Sequence, residues 1–251
     1  MSIRIVSRLE GVGGRVRMDI KVYIAAHKQF ELPEVDDCYI PLQVGSAGKR
    51  LFGYVTDNTG CHISQKNENF CELTGMYWIW KNSMSDVIGL CHYRRFLAHH
   101  GHILTRNEIE AIMQKYDLIL PDSGMSKYRN EYTHYCVQHQ ERDLLVCLEV
   151  IQKYYPKYEA AFRWVLSSNF ISMGNILIAH SRIFYEYCEW LFDILFEVER
   201  QTNVKDYDVY QKRVFGFLSE RLLRAWLVMQ KGLRVREEPL LFVEGGDYAS
   251  A

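Results

Sequence analysis

Only five prolines occur in the chain, and no stretch rich in Pro, Gly or Ser interrupts it. That excludes a low-complexity linker and predicts one continuous domain. Long hydrophobic runs are also missing: none approaches the ~18 residues that a spanning helix needs. Charge of one sign is missing too, since 30 Lys and Arg face 31 Asp and Glu, for a formal net charge of −1. A dedicated nucleic-acid binder carries a strong basic balance, so that class is disfavoured, while a local basic pocket is not. There is no CxxC pair. The seven cysteines, Cys38, Cys61, Cys71, Cys91, Cys136, Cys147 and Cys188, are odd in number and widely spaced. Most sit in apolar segments, as Cys147 does between Val146 and Leu148, and they read as buried reduced thiols in a reducing compartment. Arg4, Arg8, Arg15 and Arg17 precede no apolar signal region. Residues 1–18 therefore read as a loose leader and 19–251 as the domain.

What is present is enough apolar matter for a sizeable core, at 48% of 251 residues. Ile20 to Ala26 reads as a strand, and Tyr39 to Val44 as a second one weakened by Pro41. Asp57-Asn58-Thr59-Gly60 is a turn. Phe70, Leu73, Met76, Tyr77 and Trp80 recur at helical spacing, which predicts one helix over 65–82 with Ser64 as its cap. Asp86 to Cys91 is a short buried strand. A helix over 107–115, a strand over 117–120, a polar loop over 122–135 and a helix over 138–155 follow. Phe170 to Ala179 reads as a strand, and two long helices, 182–201 and 208–231, finish the pattern. Strands alternating with helices predict an α/β fold, a mostly parallel sheet flanked by helices with a helical C-terminal half.

In open α/β sheets ligands sit beyond the carboxyl ends of the strands. The first strand ends in His27-Lys28, and the strand over 86–91 ends in His92-Tyr93-Arg94-Arg95. Were these strands neighbours, their cations would converge on one sheet edge. Such a cluster suits a diphosphate, because Arg offers a planar fork and Lys a point charge; it also suits plain solvated charge. The stretch from Asp57-Asn58-Thr59-Gly60 through Asn67 to Asn69 is rich in amide and hydroxyl groups, which can read a base or sugar, or simply make turns and helix caps. Glu72 and Trp78 lie off the apolar stripe of their helix, as a sugar-binding carboxylate and indole would, or as surface residues. His99-His100-Gly101-His102 has the look of a metal tract but lacks a second ligand cluster at zinc spacing. Asp206-Tyr207-Asp208 is a DxD pair between helices, better read as a helix start than as a metal site. Arg213, Glu220 and Arg221 share a helix face interrupted by the apolar Phe217, which suits a binding site or an ordinary salt-bridged face, and close packing is one reason to tolerate Gly216 in the helix.

Taken together, Asp57-Asn58-Thr59-Gly60, Cys71-Glu72-Leu73-Thr74, Tyr77-Trp78-Ile79-Trp80-Lys81-Asn82, Ile88-Gly89-Leu90-Cys91-His92-Tyr93-Arg94-Arg95-Phe96, Asn175 and Arg213-Val214-Phe215-Gly216-Phe217-Leu218-Ser219-Glu220-Arg221-Leu222 resemble a known family. It is a family of bacterial capsular and exopolysaccharide glycosyltransferases whose domain was long catalogued as of unknown function. The likeness runs from about Lys21 to Leu227, departing at Met173-Gly174-Asn175-Ile176-Leu177-Ile178, where a more aromatic stretch is expected. The resemblance implies a GT-A-like fold and transfer of a hexosyl group, galactofuranosyl among the options, from a UDP-linked donor. The saccharide acceptor would be lipid-linked, and the protein cytoplasmic, at the inner face of the membrane. Donor-binding residues are then expected among His27, Lys28, Asp57, Asn58, Asn67, His92, Tyr93, Arg94, Arg95, Asn175, Arg213 and Arg221. An inverting transfer needs a base, with Glu72, Asp143 and Glu220 as candidates. No cofactor is called for beyond the nucleotide-sugar substrate, and cations in place of the usual acidic motif make a divalent metal dispensable. Two other classes stay open: a non-catalytic glycan- or nucleotide-binding module, and a metal-dependent hydrolase built on His99–His102.

Overall fold

Ile20, Val22 and Ile24 alternate with Tyr23 and Ala25, and both sets are buried. A strand apolar on both faces belongs inside a sheet that is covered on both sides. The structure, a computed structural model, describes residues 17–171 and 174–243 and has that arrangement. Residues 1–16, most of the expected leader, and residue Met173 of the expected aromatic departure lie outside the described residues.

The strands in chain order are β1 (Ile20–Ala26), β2 (Tyr39–Gln43), β3 (Val55–Thr56), β4 (Val87–His92), β5 (Arg95–His99) and β6 (His102–Ile103). They continue as β7 (Leu118–Pro121), β8 (Gly124–Met125), β9 (Phe170–Ile171), β10 (Leu177–His180), β11 (Val235–Glu238) and β12 (Leu240–Phe242). The helices are α1 (Asn67–Phe70), α2 (Leu73–Asn82), α3 (Arg106–Met113), α4 (Glu131–Gln138), α5 (Glu141–Tyr154), α6 (Glu159–Ser167), α7 (Ser181–Gln201) and α8 (Val214–Met229). The main sheet runs β11-β7-β10-β4-β1-β2-β3. Its pairs are parallel except where β10 lies antiparallel between β4 and β7. The expected mixed α/β sheet, mostly parallel and GT-A-like, is thus present.

One sheet face carries Tyr23, Ala25, Leu42, Ile88 and Leu90 against α2, α7 and α8, in a core that also takes Phe70, Leu73, Phe184, Phe192 and Phe215. The other carries Val22, Ile24, Val87, Cys91 and Ile119 with Ile109 and Met113 of α3. Each such side chain removed from water contributes roughly 1.5–3 kcal/mol. Pro41 is tolerated in β2 because β3 pairs only with Leu42 and Gln43, so the proline's missing donor faces no partner strand.

Several local readings need correction. The single helix expected over 65–82 is broken: a 3-10 turn at Ser64–Lys66 and α1 end at Cys71, whose φ of 51° is rare for a residue with a side chain. Ser64 caps no helix; its hydroxyl donates to Asp57 and accepts from the Ala47 amide. Part of the loop expected over 122–135 is α4, capped by Asn130, whose side chain accepts from the Thr133 amide. The strand expected over 170–179 is divided into β9 and β10. The helix α6 and the strands β11 and β12 were not foreseen. Cys38, Cys91, Cys147 and Cys188 are buried, Cys61 is exposed, and the seven thiols are free.

Candidate functional site

Parallel pairing of β1 with β4 sets Ala25 opposite His92 and brings the two strand ends together. Past them His27 meets the Tyr93 ring edge-on at 5.4 Å, and the Arg94 guanidinium lies 5.0 Å from the same ring. Beyond this edge opens a cavity of about 820 Å³. His27, His92, Tyr93, Arg94 and Arg95 line it from the sheet, and Lys49 from the loop after β2. The broken helix adds Asn67, Glu68, Cys71 and Glu72, while α4 adds His134 and Gln138 and the residue after it adds His139. The far wall is Tyr210, Arg213, Gly216, Phe217, Glu220 and Arg221, around the start of α8.

The cavity is electrostatically lopsided. Partial burial of the His27 ring, then Lys28, Arg94, Arg213 and Lys49 around it, push its pKa down. His27 is exposed by surface area, so the four cations are the more telling part. Arg213 reaches the Cys71 sulfur rather than a carboxylate, at 3.4 Å from Nε. Positive groups gathered against a low-dielectric wall favour a multiply charged anion.

Two carboxylates stand on the opposite side of that charge. Glu72 follows the strained Cys71 directly, and the Asn67 amide holds the Cys71 carbonyl at 2.7 Å. A residue held in such a conformation costs about 1–3 kcal/mol, and strain of this kind collects at functional sites. Glu72 accepts from the Asn175 amide at 2.6 Å and lies 3.7 Å from His92 Nε2. Burial works against its charged form, but His92, Asn175 and Arg213 outweigh it and hold the carboxyl below its usual range. Burial also pushes the His92 imidazole below its ordinary value, against the pull of the Glu72 carboxylate. His92 Nε2 is buried with no hydrogen-bond partner, which leaves it available to a ligand.

Glu220 differs. It accepts from the Gly174 amide at 3.1 Å and from Arg221 Nη1 at 2.9 Å. Burial, with Glu72 nearby, raises its pKa despite Arg221 and Arg95. A cavity-lining carboxylate with raised affinity for a proton is suited to general-base work.

Of the expected site residues, Glu72, Glu220, Arg94, His27, Asn67, His92, Tyr93, Arg95, Arg213 and Arg221 line the cavity, and five others do not. Asp143 is buried on α5 and bonded to the Tyr207 hydroxyl at 2.8 Å, so no acceptor can reach it. Asp57 is fully buried and takes hydrogen bonds from the Gly45 and Ser46 amides and from the Ser46 and Ser64 hydroxyls, which makes it a loop organiser. Asn58 follows it on the turn, outside the lining. Lys28 sits over the outer side of Tyr93, 5.8 Å from its centroid. Asn175 is buried behind the wall, where it holds Glu72 and accepts from the Ser219 hydroxyl at 2.7 Å.

Other readings change as well. Trp78 is buried, with its indole N–H on Thr59, so it presents no face to a sugar. Gly216 is not forced by packing, since an added Cβ would meet Cys71 Sγ at an ordinary 3.5 Å. His99 and His102 pair with Glu238 and Glu108 around the β5–β6 turn, away from the cavity. Among the described residues no group of three or more His, Cys, Asp or Glu is placed to hold a metal ion. Asp208 accepts from the Gln211 amide at 2.7 Å in the turn before a 3-10 segment at Gln211–Arg213, and the helix expected from 208 begins only at Val214, so Asp208 does not cap it. Lys49, His134, His139, Tyr210 and Phe217 were missed. The His-x-x-x-x-His spacing on 134–139 was the available signal, hidden by reading that segment largely as loop.

A mixed sheet whose main path is parallel except at β10, with β5, β6 and β12 added antiparallel off that path, and an anion-suited cavity beyond the carboxyl ends of β1 and β4 define a GT-A-like α/β protein. The chain belongs to the family described as a domain of unknown function, DUF4422, whose model matches residues 21–231. It is similar to a solved structure described as the WbbM bifunctional glycosyltransferase in its apo form, at 28% identity and a TM-score of 0.81 over 92% of this chain. It spans 48% of that longer chain. No curated protein matches it. No helix among the described residues is long and apolar enough to cross a membrane.

Proposed function

We propose that the chain is a glycosyltransferase that moves a hexosyl group from a UDP-linked donor to a saccharide acceptor. Galactofuranose is the sugar favoured by the family resemblance, and the acceptor is a lipid-linked glycan of capsule, exopolysaccharide or O-antigen synthesis, met at the inner membrane face. Kinship with a bifunctional glycosyltransferase supports the class. The carrying observation is one cavity in which a corner of cations faces a proton-accepting carboxylate.

In this reading the diphosphate rests against His27, Lys49, Arg94 and Arg213. Glu220 accepts the proton of the acceptor hydroxyl, whose oxygen bonds to the anomeric carbon as that carbon's bond to the diphosphate breaks. The bonding electrons leave with the diphosphate, and the cations stabilise the charge that develops there. Glu72, held ionised, stands beside His92 near the same phosphates. The cationic corner takes the part a divalent metal plays in other enzymes that use nucleotide sugars.

The test is a donor panel: UDP-galactofuranose, UDP-galactose, UDP-glucose, their N-acetyl counterparts, and GDP- and dTDP-sugars, with nucleotide release followed with and without EDTA. One preferred donor, turned over equally in EDTA, is the expected result. Binding without release would make the chain a binding module. Loss of turnover in EDTA would assign the diphosphate to a metal.

A further inference from the structure

Behind the cavity wall lies a charged group that this mechanism does not use. Glu131 begins α4, is only 3% exposed, and faces Arg221, itself only 4% exposed. Its Oε2 lies 3.2 Å from Arg221 Nε. Its Oε1 lies 2.7 Å from His134 Nδ1. Arg221 donates through Nη1 to Glu220 at 2.9 Å and to the Phe217 carbonyl at 2.9 Å, and its guanidinium lies 5.3 Å from the Tyr135 ring. One guanidinium is thus divided between a carboxylate in the wall and a carboxylate in the cavity.

We propose that Glu131 is a positioning residue: by sharing the Arg221 guanidinium, it stops Arg221 from closing a two-pronged pair on Glu220 and keeps Glu220 turned into the cavity. The inference rests on the reading of Glu220 as the acceptor base. The physics is that of the guanidinium fork. Arg grips a carboxylate best through two parallel N–H bonds. Here Glu131 stands as an ion-pair partner 3.2 Å from Nε, which itself makes no hydrogen bond, while Glu220 receives Nη1. Its other oxygen is held by the Gly174 amide. Without Glu131, Glu220 is the one carboxylate left against Arg221 among the described residues, and a fully paired carboxylate is a poor base.

The groups facing this arrangement come from several elements. Glu72 stands before α2 and Arg95 on β5, His134 is on α4 and His139 just after it, and Arg221 is on α8. Glu72 raises the proton affinity of Glu220, while Arg95 and Arg221 lower it. Removing the negative charge of Glu131 acts in the same direction as a tighter Arg221 pair, so the sign of the expected change is unambiguous.

The experiment follows the Glu220 carboxyl directly, by titrating full-length protein labelled with 13C at the glutamate side-chain carboxyl and assigning the signal with Glu220→Gln. In Glu131→Gln the midpoint should fall by about one pH unit, the size of a lost or gained close charge partner. Glu131→Asp, with its carboxylate one methylene short, should move it partway. The acid limb of the pH profile for nucleotide release should shift in parallel, with donor KM unchanged. In an Arg221→Gln background the Glu131→Gln change should leave only the smaller shift due to the lost charge itself. Should Glu131→Gln not fold, Glu131→Asp carries the same comparison. An unmoved midpoint in a folded variant, or an equal shift with Arg221 absent, would overturn the proposal. Because the titration needs no substrate, failure of the glycosyltransferase reading would appear separately, as a donor panel without turnover.

Discussion

The molecule buries carboxylates in two neighbouring regions, with opposite results. At the end of β3, Asp57 is surrounded by four short hydrogen bonds from the Gly45 and Ser46 amides and two serine hydroxyls. Nothing of it remains for a ligand. Across the cavity, Glu72 and Glu220 each keep few partners, stand near cations and face open volume. Both regions read alike in the sequence, as polar residues around turns and helix starts. The difference lies in how many donors each carboxylate meets, and it separates a structural group from a chemical one.

The comparison can be broken most decisively at Glu220. Glu220→Gln is expected to lower turnover by about 100- to 10,000-fold, the usual worth of a general base, with melting temperature nearly unchanged. Steady-state kinetics beside a thermal melt would check both halves. Asp57→Ala should do the reverse: it orphans buried donors and should destabilise the fold by roughly 3–5 kcal/mol, read in a denaturant titration. Residual folded protein should still turn over donor. Arg94→Ala removes one group of the cationic corner and should lower turnover roughly 100-fold without unfolding, as loss of a single charge-stabilising donor does.

A pH profile sharpens the contrast further. A base works ionised, so activity should fall as pH drops through the folded-state value of Glu220. Because that value is raised, the acid limb should lie above the ~4.3 of an ordinary glutamate. A limb at or below that value would point to Glu72, whose carboxyl is held low. The smallest effect is expected at Asp143. It is buried under Tyr207 on α5, so Asp143→Asn should leave turnover within about threefold, since it touches no reacting group.

Much of the sheet was legible because its physics is local. The alternation in β1 and the apolar run of β4 follow from near neighbours. The two strand ends could be named, and their meeting followed once β1 and β4 paired. The break at Cys71 was hidden because Phe70, Leu73 and Met76 keep helical spacing across it. Only the backbone of one residue and the Asn67 side chain disclose it. β11 carries Arg and Glu at three of its four positions and lies at a sheet edge, and β12 has only three residues, so their pattern is weak. Asp143 and Glu220 could not be ranked because both sit on amphipathic helices. Which one faces a cavity is decided by tertiary packing.

The central claim is that the cationic corner beyond β1 and β4 receives a nucleoside diphosphate. Titrating UDP into the full-length protein in EDTA, and into Arg94→Ala and Arg213→Ala, tests it most directly. The account predicts a saturable calorimetric signal that each substitution weakens at least about tenfold, or ~1.4 kcal/mol. Absence of UDP binding in the intact protein, or binding that neither substitution alters, would contradict it.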